Sequence, residues 1–142
     1  MKRFVFGLET LLRLRIQKRR EAETELGRMT ALCNRIAATM KSTQEEITAG
    51  PQTLDPQWMI QEQAYLGRLK SSLETLASEL LDARRLEATW RQTLSYAQQQ
   101  EEIVENLREA QWKRWRKQML KEEQKILDDL PGRRHQKSGN WA

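Results

Sequence analysis

The sequence has one cysteine, one histidine and three prolines among 142 residues. One cysteine rules out an internal disulfide and is read as fitting a reducing compartment. One histidine beside one cysteine does not supply the donor set of a zinc site. No stretch approaches the ~18 consecutive apolar residues of a membrane-spanning helix. The opening Met1-Lys2-Arg3-Phe4-Val5-Phe6-Gly7 is basic but carries no apolar run of the signal-peptide kind. Phosphate-cradling loops of the G-x-x-x-x-G-K-[S/T] and G-x-G-x-x-G types are missing too. Carboxylates are plentiful, but they fall on solvated helix positions with no cavity to shift their pKa. The chain is therefore read as non-enzymatic, with no catalytic residue, no metal ligand and no cofactor.

Charge and helical periodicity are what the sequence does hold. Charged residues make up 32%, aromatics 6%, and the net charge is +5. That excess permits an acidic partner without demanding one. From Leu66 a strict alternation of three and four residues picks out Leu69, Leu73, Leu76, Leu80, Ala83, Glu87, Trp90, Leu94 and Ala97. Only Glu87 is polar, and such a stripe is the seam of a coiled coil. An earlier stripe runs Ala22, Leu26, Met29, Cys33, Ile36, Met40, Thr43 and Ile47. Cys33 is in the first place a packed hydrophobe of that seam, and a reactive thiol only in the second.

Two breaks divide the chain. Gly50-Pro51 ends a first helix of about 5–48, and residues 49–54 form a loop. Asp55 is a good N-cap, Pro56 suits the first helical position, and Leu54 and Met59 can close a hydrophobic staple. Pro131-Gly132 is expected to stop the second helix near 130, leaving 131–142 as a disordered tail with a solvated His135. The fold class is thus all-α, a two-helix antiparallel coiled coil with a longer C-terminal helix, in a single unit over 1–130. A helix of some 75 residues would measure roughly 110 Å.

Short connections make neighbouring helices antiparallel. With Thr48 level with Pro56, Ile36 falls near Leu69, Leu26 near Leu80, and Leu12 near Trp90 to Leu94. Arg15 and Arg19 then come level with Glu87, as an ion pair that fixes register. Helix one would run out opposite residue 100, leaving 101–130 as an overhang of roughly 45 Å. The overhang holds a basic, tryptophan-bearing stretch at 112–121. Register brings it to the same end as the basic residues 2–20. Together the two stretches carry twelve Lys or Arg against one acid, Glu9, beside Phe4, Phe6, Trp112 and Trp115. Interleaved aromatics and cations suit a nucleic acid, a membrane surface or a protein partner. Acidic blocks on both sides of 112–121 disfavour the first. A plain scaffold coiled coil is a further alternative.

The opening Phe4-x-Phe6-x-Leu8-Glu9-x-Leu11-Leu12-Arg13-Leu14-Arg15, the short loop and the closing Glu122-Glu123-Gln124-Lys125-Ile126-Leu127-Asp128-Asp129-Leu130 together resemble the flagellar export protein FliJ family. The resemblance implies a component of the flagellar type III export apparatus without a transmembrane segment, tied to flagellum biogenesis, protein transport and chemotaxis. It implies a stalk inserted in the hexameric export ATPase, contacting the cytoplasmic domain of the export-gate membrane protein and handling export chaperones. The implied location is the cytoplasm, peripheral to the inner membrane at the flagellar base. On that resemblance Arg13, Arg15, Trp112, Trp115 and Arg116 are candidate ATPase contacts. Tyr65, Leu69, Ser72 and Leu76 are candidate gate contacts. Tyr65 lies one position off the seam, so it is expected to be partly exposed.

Overall fold

The computed structural model describes residues 2–51 and 55–139, the stretch 131–139 by its backbone alone. Among the described residues there are two helices and no strand: α1, Glu9–Ala49 (41 residues), and α2, Pro56–Gly139 (84 residues). Contacts divide the chain into two units. One comprises Met1–Ile16 with Gln99–Ala142, the other Gln17–Gln98.

Local chemistry sets the helix ends. Gly50, with φ 68°, takes the left-handed position past the end of α1, and its N–H bonds to the Ile47 carbonyl at 3.1 Å. Asp55 caps α2: its carboxylate accepts the Gln57 N–H at 3.0 Å, and its carbonyl accepts from Trp58 and Met59. Leu54, expected to staple against Met59, lies outside the described residues. At the other end α2 continues through Pro131 and Gly132 to Gly139, where a stop at 130 was expected. A proline's own φ is helical, and opposition comes only from its missing N–H and its crowding of the carbonyl four residues back. Water can solvate the carbonyl left unpaired at an exposed helix end. The tail expected to be disordered is therefore helical as far as Gly139. The side chain of His135 lies outside what is described. α1 in turn begins at Glu9 rather than near residue 5, because Lys2–Phe6 is irregular and Gly7-Leu8 form a turn.

In the Gln17–Gln98 unit, all eight seam positions of α1 and all ten of α2 are at least partly covered. Ala22, Cys33, Ala83 and Ala97 are buried. Small residues there let the two backbones approach. The outward faces carry threonines whose hydroxyls return to their own helix, as Thr39 does to the Arg35 carbonyl and Thr89 to that of Arg85.

The pairing level differs from the expected register. Tyr65 donates to the Glu46 carboxylate at 3.0 Å, so Tyr65 stands beside the last turns of α1. The start of α2 runs on before it, with Trp58, Met59 and Ile60 exposed. Six residues separate Ala49 from Pro56, and six extended residues can climb ~20 Å, more than three helical turns. A short connection fixes the direction of return but not its level. Further along, Cys33 meets Glu87, and in the other unit Leu12 packs with Val104, ten residues past Leu94.

The unit of Met1–Ile16 and Gln99–Ala142 consequently covers far more of α2 than expected. Phe6, Leu12 and Val104 form a buried cluster, with Phe4, Leu11 and Ile16 packed on it. Each of the three central side chains contributes about 1.5–3 kcal/mol by its burial. The uncovered part of α2 begins near Lys121, not at Glu101. From Lys121 to Leu130 every residue is exposed.

Candidate partner-binding surface

The irregular stretch before α1 creates the surface. Because Gly7-Leu8 turn before the helix starts, Phe6 can enter the core while Phe4 lies along α2. The Phe4 and Trp115 rings sit 5.8 Å apart at 50°, a tilted aromatic pair. One turn earlier, the Arg116 guanidinium lies over the Trp112 ring, 5.4 Å from its centroid. Glu9, in the first turn of α1, forms an ion pair with Arg108 of α2 at 3.2 Å. Between these features runs a groove of about 450 Å³ lined by Phe4, Leu12, Glu105, Arg108, Glu109 and Trp112. Three of these residues are apolar (Phe4, Leu12, Trp112) and three are charged.

Of the five candidate ATPase contacts, three belong to this cluster: Trp112, Trp115 and Arg116. Arg13 is exposed on α1, while Arg15 is half-buried and its Nε has no hydrogen-bond partner among the described residues. Sequence reasoning passed over Arg108 and Glu101. Continuing the three-four spacing past Ala97 lands on 101, 104, 108, 111 and 115, and of these Glu101 and Val104 are buried. That spacing was the available signal.

The candidate gate contacts lie in the other unit. Tyr65 is 49% exposed, in keeping with its offset from the seam. Leu69 and Leu76 are half-buried, and Ser72 is exposed. Beside Tyr65 opens a groove of about 400 Å³, lined by Glu46, Glu62, Pro51 and Leu66 among others. The Glu46 carboxylate, through its hydrogen bond and then its charge, holds the Tyr65 phenol above its ordinary value of 10.0.

The register residues are placed as follows. Glu87 pairs with Arg91 on its own helix at 2.8 Å and accepts a hydrogen bond from the Cys33 thiol. Arg19 pairs with Glu23 at 2.8 Å. Across the seam, Glu87 meets the Cys33 thiol. Burial, the Glu87 hydrogen bond and the Glu87 charge all push this thiol up, and Arg84 pulls the other way.

Among the described residues no group of three His, Cys, Asp or Glu side chains is placed to hold a metal. No helix there is long and apolar enough to cross a membrane. Two long helices and a covered heptad seam define an all-helical protein of coiled-coil character. A family model for the flagellar FliJ protein matches residues 4–140, nearly the whole chain, and the chain belongs to that family. It is accordingly a component of flagellar biogenesis and protein export. No curated protein and no solved structure matches it significantly.

Proposed function

We propose that the chain is an antiparallel coiled-coil hairpin with a longer C-terminal helix, serving as a stalk within the export ATPase ring. The observation that carries this is the aromatic and cationic cluster of Phe4, Trp112, Trp115 and Arg116 around its groove. An antiparallel hairpin is supported by late α1 meeting early α2 (Glu46 with Tyr65) and by the N-terminus meeting late α2 (Phe4 with Trp115). In this reading Arg13, Arg15, Trp112, Trp115 and Arg116 touch the ring, where rim acids answer the cations and apolar sleeves take the rings. Tyr65, Leu69, Ser72 and Leu76 face the cytoplasmic domain of the export gate, and chaperones of export substrates dock on the same protein. It works in the cytoplasm, at the inner membrane of the flagellar base.

The test is to add the protein to purified export ATPase and follow ATP hydrolysis and hexamer formation. A stalk raises one or both, and Trp115→Ala blunts the effect. No change in either, with tight binding to DNA or RNA that falls steeply as salt rises, overturns the reading in favour of a nucleic-acid binder. For the second face, Tyr65→Ala weakens binding to the gate's cytoplasmic domain at unchanged helicity. Unaltered affinity removes Tyr65 from that contact.

A further inference from the structure

We propose that two copies of this chain associate through the turns of α2 from Trp112 to Leu130, antiparallel, about a two-fold axis near Met119 and Leu120. At 100° per residue, the apolar side chains from Trp112 to Leu130 fall within about 140° of the helix circumference. Leu120, Ile126, Leu127 and Leu130 are all more than half exposed on that face. A lone helix with a bare apolar stripe is weakly stable in water, since most helical stability comes from packing such a face.

Charge names the occupant. Two charged residues lie inside the apolar arc, Arg116 and Glu123, one of each sign and seven positions apart. An axis between Met119 and Leu120 sets Arg116 of one copy opposite Glu123 of the other, twice by symmetry. The same axis brings Trp112 over Leu127. The wider pattern agrees: 112–121 has five cations and no acid, whereas 122–130 has four acids and one lysine. Antiparallel copies lay each basic block on an acidic one, and parallel copies would lay like on like. A self-complementary patch of this kind is what a two-fold dimer requires. Nineteen residues span ~28 Å, and one helix pair of that length buries less than the roughly 800 Å² per partner of a standard interface. The dimer is therefore weak and concentration-dependent. It also occupies Trp112 and Arg116, so self-association and any partner bound at that cluster exclude one another.

Sedimentation equilibrium of the full chain from low to high micromolar concentration tests this. The expected mass climbs from 16.8 kDa towards twice that value. Arg116→Glu and Glu123→Arg, each alone, place like charges opposite one another at two points and weaken the dimer roughly ten-fold. The double exchange, carrying both substitutions, restores it. A mass fixed at 16.8 kDa throughout, or a dimer indifferent to either single reversal, overturns the proposal. So does a double exchange that fails to recover association. Binding to the export ATPase enters none of these outcomes, so the result stands apart from the stalk reading.

Discussion

Cys33 is buried against a carboxylate that keeps its own arginine. Because the folded thiol titrates above its ordinary 9.0, its contribution to stability is complete below that pH and is lost as pH rises through the folded value. Alkylation by iodoacetamide near pH 8 should therefore be much slower in the native chain than in urea. Equal rates would show that the seam does not shield the thiol. Tyr65 follows the same sign for a different reason. It is half exposed, and the neighbouring Glu46, more than burial, resists its ionisation. The Tyr65–Glu46 bond holds below pH 10.0 and is lost as the phenol ionises above it. Glu46→Gln should move the Tyr65 transition, followed by ultraviolet absorbance, to lower pH.

At the scale of the helix, ends and interiors respond oppositely to small substitutions. Asp55→Ala removes the acceptor of the Gln57 N–H and should cost about 1 kcal/mol in urea unfolding. Gly67 sits inside α2 with open space where a Cβ would go. Gly67→Ala should stabilise by about 0.5–1 kcal/mol, and a loss instead would mean a close approach at that position. These elements were legible because their causes are local. Asp55-Pro56 and the two heptad stripes can be read residue by residue, and every expected seam position is covered. Register was not legible. The apolar Trp58, Met59 and Ile60 look like the start of a seam but stand exposed before it, and nothing in their spacing says so. The Phe4–Trp115 pair was hidden for the same reason, since a misplaced level moves every distant contact with it. At the candidate surface, Trp112 and Trp115 were legible as aromatics among cations, whereas Glu9 with Arg108 depended on the level.

For the molecule as a whole, the two contact units give separate readouts. Phe4→Ala strips one ring from Trp115 and should red-shift tryptophan emission while slow alkylation of Cys33 persists. Loss of Cys33 protection in that variant would mean that the units unfold as one. Contact between Phe4 and Trp115 also orders events during synthesis. These residues stand 111 positions apart, from 4 to 115. At ~5–20 residues per second, the first aromatic waits roughly 6–22 s for the second to be made. The residues from 17 to 98 are all translated within that interval and can pair without it. Phe4 meets its ring partner only after Trp115 is made, and Phe6 its core partner only after Val104. Until then both phenylalanines, beside Lys2 and Arg3, stay bare on the growing chain, and a chain cut short before Val104 would keep them so.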